Sequence, residues 1–383
     1  MKKPTEDSSP ETAECGCGGC CGSVDKPNPS RRKGSAWISG VINIAAGDIP
    51  QVRTSLSFHD RLGTVKARWD INRMNYSVPP GLYAVGNPTS ESVVLVSANY
   101  KMSFDRLRKQ LGGRDAWILV LDTKGINVWC AAGKGTFGTD ELLNRIKITG
   151  LDKIVSHRRL VVPQLGATGV SAHIVRKASG FSIIYGPVRV EDLPAFLNAG
   201  MKAQPEMRRV RFGLRDRVVL IPVELVGGGK YVLLLAAVFA LIGGLSSSGY
   251  SFAKVLSAGI INASIVFGSF FCGTLLGPIL LPWLPGRAFS IKGAMLGMAL
   301  VGALAVFGLP GPGLFGSWLH LAAFAFLIPT LTSFTLMNFT GASTFTSLSG
   351  VIREMRLAVP VQIAAAVIGV VLWFGGLFIN GGR

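Results

Sequence analysis

A single cysteine, Cys130, stands in the stretch GINVWCAAGKG between Trp129 and a run of small residues. If Cys130 lies in the first turn of a helix, its sulfur faces the positive end of that turn, and Lys134 falls on the same face one turn later. Both arrangements stabilise negative charge and favour the thiolate, the form that attacks carbon, exchanges with disulfides or binds a metal. The sequence therefore identifies Cys130 as a candidate reactive residue.

Three kinds of chemistry are open to Cys130. Nucleophilic catalysis usually needs a base, and none of the four histidines is near it in sequence, although folding could bring one close. Redox exchange needs a resolving cysteine two or three residues away, and the stretch has none. Binding a metal that another group already holds needs only one ligand. A cysteine that simply packs beside Trp129 is the structural alternative.

A second group of thiols lies near the N-terminus, in ECGCGGCCG, and comprises Cys15, Cys17, Cys20 and Cys21. Reduced thiols at this density suit a soft metal ion. Their spacing matches neither a ferredoxin cluster motif nor a paired CxxC zinc site. Metal binding and a flexible tail without a dedicated role both remain open.

Apolar, β-rich segments alternate with helix-like segments after residue 90, whereas residues 37–90 are expected to form short extended segments. The strand-like segments are 93–96, 117–121, 160–162 and 181–185. The helix-like segments lie near 103–112, 138–147, 167–179 and 190–199. Ser103 and Thr139 are expected as N-caps, and Gly180 and Gly200 as residues just after helix ends. The alternation predicts an α/β fold with a mostly parallel sheet and helices on both faces.

The loops that leave the carboxyl ends of parallel strands converge at one edge of the sheet. Here they are SANY (97–100), DTKGINVWCAAGKG (122–135), PQLGATG (163–169) and YGPVR (185–189). Their small residues let the backbone approach a large, flat ligand closely. The predicted ligand contacts in these loops are Ser97, Asn99, Thr123, Gln164 and Gly166.

The last third of the chain is apolar enough to predict an all-α bundle of five transmembrane helices. The apolar stretches lie near 231–249, 255–281, 289–309, 314–338 and 357–379, and each is close to the roughly 20 residues that a spanning helix needs. Basic residues concentrate in the loops on one side, which places residues 1–230 in the cytoplasm and the C-terminus outside. We therefore expect a multi-pass protein of the cytoplasmic (inner) membrane.

Four regions follow from these patterns: a flexible cysteine-containing tail (1–35), an α/β domain (36–205), a basic juxtamembrane linker (206–230) and a transmembrane domain (231–383). The formal net charge is +18. A basic cluster beside the first span is attracted to anionic membrane lipid, which explains much of this charge. Because no aromatic-rich basic stripe accompanies it, no nucleic-acid partner is expected.

The string NVWCAAGK at 127–134 resembles the signature of the mercury-methylation corrinoid proteins, the HgcA family, which are similar to the large subunit of the corrinoid iron–sulfur protein. The resemblance extends over GLYAVGNP (81–88), VLVSANYKMSFD (94–105), WILVLDTKGINVWCAAGKGTFGTDEL (117–142), HRRLVVPQLGATGV (157–170) and YGPVR (185–189). It thus covers most of residues 37–200. A bundle of five spanning helices is also a feature of that family.

The resemblance implies a Rossmann-like domain that binds cobalamin or a related corrinoid, with Cys130 as the lower axial ligand to cobalt. The rest of the motif would shape the surface beneath the corrin: Asn127, Val128, Trp129, Ala131, Ala132, Gly133 and Lys134. Histidine-ligated corrinoid proteins typically carry DxHxxG. In SFHDRLG (57–63), Ser57 replaces the Asp and the Gly is displaced, so His59 is a poor competitor for cobalt.

The function implied by the resemblance is transfer of a methyl group from a methyl–Co(III) corrinoid to Hg(II), giving methylmercury. A thiolate donates electron density more strongly than an imidazole and would ease departure of the methyl group as a carbanion equivalent or radical. The implied partners are a ferredoxin-like reductant with a 4Fe–4S cluster and a methyl donor, expected to be a methyltetrahydrofolate-linked methyltransferase. The tail cysteines Cys15, Cys17, Cys20 and Cys21 would hold Hg(II) before transfer.

Two other functions are compatible with parts of the sequence. A corrinoid methyl carrier of the acetyl-CoA pathway would share the fold but not the acceptor, and the chain lacks a recognisable cluster motif of its own. A transporter with a cytoplasmic regulatory domain is less favoured, because the spans show no internal repeat and few ionisable residues.

Overall fold

The computed structural model describes residues 35–44, 47–307, 317–339 and 348–379. The thiols at Cys15, Cys17, Cys20 and Cys21, predicted to bind Hg(II), lie outside the described residues.

Seven strands form one sheet in the order β1-β2-β3-β5-β4-β6-β7. Their bounds are β1 Ile38–Ile44, β2 Gly47–Val52, β3 Gly81–Val85, β4 Val94–Ala98, β5 Ala116–Leu121, β6 Arg159–Val162 and β7 Ser182–Tyr185. Strands β5, β4, β6 and β7 are mutually parallel, whereas β1 pairs antiparallel with β2 and β3 with β5. The sheet is therefore mixed, with the expected parallel arrangement in its central and C-terminal strands.

The central strands are buried on both faces. Every residue of β3, β4 and β5 is buried, which explains why these segments read as continuous apolar runs rather than as an alternating pattern. Alternate residues of β5 contribute to two separate cores: Trp117 and Leu119 to one, Ile118 and Val120 to the other. Helices therefore have to cover both faces.

Seven helices accompany the sheet: α1 Phe58–Arg68, α2 Lys101–Gln110, α3 Val128–Gly133, α4 Thr139–Thr149, α5 Leu151–Ile154, α6 Ala172–Ser179 and α7 Leu193–Asn198. Residues of α3, α4, α5 and α6 belong to the core that contains Trp117. Residues of α2 and α7 belong to the core that contains Ile118. The prediction of helices on both faces is thus confirmed.

Two predicted N-caps are wrong. Helix α2 begins at Lys101 with Tyr100 as its N-cap, three residues before Ser103, because the chain turns into the helix directly after the bridge between Ser77 and Tyr100. Helix α4 has Gly138 as its N-cap. The Thr139 hydroxyl instead accepts a hydrogen bond from Ser171 N at 2.8 Å, so it joins two loops rather than capping its own helix.

Two predicted helix ends are correct, and one helix was not anticipated. Gly180 caps α6 with φ +76°, and Gly200, with φ +66°, follows α7. Helix α1 lies within the segment expected to be extended. Its start is a capping box in which Ser57 and Asp60 satisfy each other's backbone N–H groups.

Among the described residues, the C-terminal part contains five helical segments long and apolar enough to cross a membrane, as predicted: Leu214–Ile242, Phe252–Leu280, Phe289–Val306, Trp318–Asn338 and Gly350–Ile379. Its helices are α8 Leu214–Val218, α9 Ile221–Ile242, α10 Phe252–Lys254, α11 Ile260–Phe271, α12 Gly277–Leu280, α13 Phe289–Phe307, α14 Trp318–Asn338 and α15 Leu348–Ile379. These segments are compatible with membrane insertion.

This part differs from the expected all-α bundle in three details. The first helical segment starts well before residue 231, because the helix continues through the glycines and charged residues that interrupt the apolar pattern. A short hairpin, β8 Leu245–Ser246 and β9 Gly249–Tyr250, follows α9. The second segment contains two π-helical turns, at Val255–Gly259 and Cys272–Leu276.

Candidate functional site

Cys130 lies in α3, the short helix that follows β5, at the edge of the sheet where the parallel strands end. The side-chain oxygen of Asn127 accepts a hydrogen bond from Cys130 N at 3.0 Å and so caps this helix. Ala131 and Ala132 face the core, whereas Trp129 is 39% exposed and Cys130 is an exposed, free cysteine. The buried residues attach α3 to the sheet and leave the thiol facing outward.

Helix α3 is short: it ends at Gly133 and has Lys134 as its C-cap. Lys134 N donates to the Cys130 carbonyl at 3.1 Å, so the two residues are one helical turn apart, as the sequence predicted. A Cβ atom added at Gly133 or Gly135 would meet no other atom within 4 Å. The surface around the thiol is therefore open, and the small residues of the motif leave room for a large ligand.

Asn99, at the end of β4, organises the start of the loop that carries Cys130. Its side-chain oxygen lies 3.1 Å from Thr123 N, 2.8 Å from Thr123 Oγ1 and 3.0 Å from Gly125 N, and accepts from these donors. Its amide nitrogen donates to Asp122 Oδ1 at 3.3 Å. Asn99 and Thr123 are both buried, so their hydrogen bonds fix the conformation of the loop from its buried side.

The other predicted contact residues lie at the same edge in different surroundings. Ser97 is buried, and its hydroxyl reaches the carbonyl of Ala98 at 3.3 Å. Gly166 is buried in the turn after β6, and a Cβ atom there would overlap with the ring of Phe137. Phe137 follows α3 and is fully buried, and its N–H donates to Ala131 O at 3.1 Å. The loops after β5 and β6 are thus packed together.

Hydrogen bonds and an ion pair join this edge of the sheet to the segment that leads into the apolar helices. Arg208 donates to the Gln164 side chain at 2.7 Å, and Val188 N donates to Met207 O at 2.8 Å. Arg189 forms an ion pair with Asp216 at 2.5 Å. The loops after β6 and β7 at this edge therefore contact the segment that precedes the apolar helices.

A buried ion-pair cluster fixes α1 against α2 beside this edge. Asp60 is 2.7 Å from Lys101 and 2.9 Å from Arg108, while Asp105 is 2.6 Å from Lys101 and 2.8 Å from Arg108. Burial alone would raise the pKa of Asp60, but hydrogen bonds from Lys101 and Ser57 and the Lys101 charge outweigh it and hold that pKa well below its usual range. Burial, aided by the nearby carboxylates, raises the pKa of Tyr76 to about 12.

The described residues contain no cluster of three or more histidine, cysteine, aspartate or glutamate side chains that would hold a metal ion. His157 hydrogen-bonds with Ser92 O and His173 with Ser171 Oγ, and His59 is exposed in α1. Cavities of about 200 and 190 Å³ lie elsewhere, next to Arg114 and next to Arg145. Cys130 is therefore an exposed thiol that belongs to no such cluster among the residues that the structure describes.

Two residues that support the site were not identified from the sequence. Glu141 in α4 accepts a hydrogen bond from Asp122 N at 2.8 Å and pairs with Arg145 at 2.6 Å. Phe137 fills the space between the loops. The only sequence signal for Glu141 was its position in the first turn of a helix, and a buried phenylalanine in a glycine-rich loop has no local signature.

The fold and the site together define an α/β domain with an exposed thiol at the carboxyl edge of its parallel strands, joined to five apolar helices. Residues 68–196, about a third of the chain and including Cys130, match the family described as CO dehydrogenase/acetyl-CoA synthase delta subunit. The match lies within the α/β domain, so the similarity concerns the part of the protein that carries the thiol.

Two relatives illustrate the similarity. The acetyl-CoA decarbonylase/synthase complex subunit gamma of Archaeoglobus fulgidus is 28% identical over 158 residues, which are 40% of this chain and 33% of that protein. The subunit of the same name from Methanopyrus kandleri is 33% identical over 122 residues, 31% of this chain and 26% of that protein. The similarity thus spans about a third or less of each relative.

Proposed function

We propose that this chain is a membrane-anchored, corrinoid-dependent methyl-transfer protein in which Cys130 is the lower axial ligand to cobalt and Hg(II) is the methyl acceptor. The observation that carries the proposal is the exposed, free thiol of Cys130 on a capped turn, within a stretch that resembles the mercury-methylation signature. The similarity of residues 68–196 to acetyl-CoA synthase subunits supports a corrinoid cofactor and a role in methyl transfer.

The residues at the site fit a corrinoid better than a free metal ion. A free ion needs several protein ligands, and no such cluster occurs within the described parts of the chain. A metal already held in a macrocycle needs one axial ligand, which an exposed thiol can provide. The open surface at Gly133 and Gly135 and the small residues of the adjoining loops suit a broad, flat partner.

When bound, the corrinoid supplies a cobalt centre that can accept and release a methyl group. Cys130 would hold that centre through its sulfur, and Asn127 would hold the turn in which the sulfur lies. Asn99 and Thr123 would keep the preceding loop rigid, so that the thiol is positioned before the cofactor arrives. Trp129, exposed beside Cys130, offers a flat apolar surface.

The choice of Hg(II) as acceptor depends on the ligand and on the resemblance. Hg(II) is an electrophile, so it takes the methyl group together with electron density. A thiolate donates more electron density than an imidazole, which makes Cys130 the appropriate residue for transfer in this direction. The stretch NVWCAAGK at 127–134 and the five apolar helices are the features that resemble the mercury-methylation proteins.

The proposal includes a location and partners. The five apolar helices would cross the cytoplasmic membrane, with residues 1–230 in the cytoplasm and the C-terminus outside, because the basic loops lie on one side. A ferredoxin-like protein with a 4Fe–4S cluster would supply electrons, and a methyltetrahydrofolate-linked enzyme would supply the methyl group. The cysteine-containing tail would present Hg(II) to the site.

A methyl carrier that serves acetyl-CoA synthesis is the second candidate, and the comparisons favour it directly. The relatives in Archaeoglobus fulgidus and Methanopyrus kandleri are subunits of an acetyl-CoA decarbonylase/synthase complex. Both candidates need a corrinoid and differ in the methyl acceptor. Methyl transfer from the loaded protein to Hg(II), compared with transfer to the metal centre of acetyl-CoA synthase, therefore distinguishes them.

The cofactor and its ligand are tested on the full-length protein in detergent after reconstitution with cobalamin. The absorption spectrum of the wild type should indicate a sulfur ligand, Cys130→Ala should lose that signature, and Cys130→His should bind with a nitrogen-ligand spectrum. Cys272→Ala, at a buried cysteine in the apolar helices, is the matched control and should behave as the wild type. A Cys130→Ala spectrum identical to that of the wild type would refute the ligand assignment.

A further inference from the structure

Helix α1 presents an apolar face to the outside of the α/β domain. Phe58, Leu62, Val65 and Trp69 recur at intervals of four, three and four residues and so share one face of the helix. They are 79%, 36%, 50% and 44% exposed. The segment after the helix adds Ile71 and Met74, 57% and 56% exposed. We call these six residues the α1 apolar face.

The opposite face of α1 is attached to the domain by polar contacts, which is the reverse of a usual amphipathic helix. Asp60 and Ala67 are the buried residues of the helix, and Asp60 is paired with Lys101 and Arg108. A Cβ atom added at Gly63 would lie 2.7 Å from the Tyr76 ring, so the helix approaches its neighbours closely on this side. The ion pairs and the close packing set the rotation of α1 and keep its apolar stripe outward.

Basic residues flank the α1 apolar face. Arg61 and Lys66 are exposed on either side of the stripe, and Arg68 and Arg73 follow at the end of the helix and in the next turn. Asp60 is already paired, which leaves Asp70 as the acidic residue among them. An apolar stripe with aromatic residues, here Phe58 and Trp69, and cationic flanks is typical of helices that lie in the interfacial region of a membrane.

The end of α1 lies beside the first membrane-spanning segment, Leu214–Ile242. The charge of Arg73 is close enough to interact with Glu224, and the charges of Arg68 and Arg215 are close enough to interact with each other. The same edge of the domain contacts the juxtamembrane segment through Arg208 and Gln164. The C-terminal end of the α1 apolar face therefore lies near the point where the chain would enter the bilayer.

The N-terminal tail lacks the residues needed to cover this surface. Residues 1–34 contain Met1 and Val24 as their only large apolar side chains, and are otherwise small, polar or charged. Six exposed apolar side chains in one continuous stretch of sequence therefore need an apolar partner from outside the α/β domain.

We propose that the α1 apolar face rests in the headgroup region of the membrane that the five helices cross, and that it binds a bilayer containing anionic lipid. The apolar side chains would enter the interfacial layer while Arg61, Lys66 and Arg73 contact lipid phosphates. Gly125, in the loop that leads to Cys130, lies against this segment: a Cβ atom there would be 3.0 Å from Met74 O. Docking of α1 would therefore hold the Cys130 edge at a set distance from the membrane, whichever cofactor that edge binds.

The test uses the full-length protein in nanodiscs, with the photo-reactive residue benzoylphenylalanine in place of Val65 or Ile71. Tyr231, exposed on the first spanning segment, is the positive control, and Glu91, exposed just before β4, is the negative control. Mass spectrometry should find lipid adducts at positions 65 and 71 at roughly fivefold the yield at position 91, and the yield should rise when phosphatidylglycerol replaces phosphatidylcholine. Circular dichroism checks that each substituted protein is folded.

Absence of lipid adducts at both positions, with normal labelling at Tyr231, would overturn the proposal. It would also be overturned by adducts that join position 65 or 71 mainly to residues 1–34 or to a second copy of the chain. In intact cell membranes, a dominant adduct with another protein at these positions would assign the face to that protein instead. Because no corrinoid is needed in the assay, failure here is distinct from failure of the proposed methyl-transfer function.

Discussion

The side-chain oxygen of Asn127 accepts a hydrogen bond from the backbone N–H of Cys130 at 3.0 Å, so the residue that caps α3 also fixes the backbone that carries the Cys130 thiol. Replacing Asn127 with Ala removes the cap and should destabilise this turn by about 1 kcal/mol. Hydrogen exchange of the peptide around Cys130 should then be about fivefold faster in the full-length protein. Asn127→Asp keeps the accepting oxygen and should exchange almost as slowly as the wild type. Equal exchange in the Ala variant and the wild type would show that the cap has no influence on the turn.

Asn99 supplies one oxygen to donors of Thr123 and Gly125, so its removal leaves buried N–H groups without an acceptor. We expect Asn99→Ala to lower the free energy of unfolding by about 1–3 kcal/mol and to weaken binding of cobalamin. Asn99→Asp retains the acceptor but places two carboxylates together at Asp122, so an intermediate loss is expected. Chemical denaturation in detergent measures the stability, and Ser97→Ala is the control at a neighbouring buried polar residue. An equal loss of unfolding free energy in Ser97→Ala would show that the hydrogen bonds of Asn99 stabilise the fold no more than those of Ser97.

Gly166 and Gly169 both approach Phe137, but through different atoms. A Cβ atom at Gly166 would overlap with the Phe137 ring, whereas one at Gly169 would overlap with the Phe137 backbone oxygen. Each Ala variant should cost about 1–3 kcal/mol of unfolding free energy. Adding Phe137→Leu should relieve the strain at position 166 and leave the strain at position 169. A double-mutant cycle that combines Phe137→Leu with Gly166→Ala should therefore give a coupling energy near 1 kcal/mol, and the cycle with Gly169→Ala should give almost none. Equal coupling energies in the two cycles would contradict this packing.

The Asp60 ion pairs predict a loss of stability in acid. The pKa of Asp60 in the folded protein lies well below its value of about 3.8 in the unfolded chain, so the folded state holds the proton more weakly. The stabilisation that the ionised Asp60 gives to the folded state is fully present above about pH 4, and it is lost as the pH falls from there toward the pKa of the folded state. Unfolding free energy measured by denaturation across this range should decline, and less steeply in Asp60→Asn.

The same substitution has a second expected effect at neutral pH. Asp60→Asn leaves Lys101 and Arg108 with a single carboxylate, Asp105, and should cost about 3–5 kcal/mol. Asp70→Asn is the matched control because Asp70 is exposed and its positive φ of 59° suits asparagine. An Asp60→Asn protein as stable as the control would show that the cluster does not hold α1 in place.

Local patterns were sufficient for much of the fold. The continuous apolar runs predicted β4 and β5, because strands buried on both faces need apolar residues at every position. The helix ends at Gly180 and Gly200 were predicted because a positive φ requires glycine there. The five apolar segments were predicted because length and hydropathy alone identify candidate spans.

The failures arose where long-range contacts outweigh local preference. Threonine is a common N-cap residue, yet the Thr139 hydroxyl accepts a hydrogen bond from the backbone N–H of Ser171, a residue more than thirty positions away. Helix α1 carries the Ser57 and Asp60 capping box, but the sequence did not reveal that its apolar stripe faces outward. That orientation depends on Lys101 and Arg108 in another helix.

By itself, the sequence determined the chemistry available to this protein: one thiol in a turn of small residues, converging loops in an α/β pattern, and an apolar part able to cross a membrane. These properties are local, since residue type and spacing along the chain are enough to define them. The tertiary structure decided that Cys130 is exposed while Asn99 and Thr123 are buried, and that Gln164 at the same edge of the sheet contacts Arg208 in the segment before the apolar helices. Such facts depend on strand order and on contacts between distant segments, which no local pattern encodes.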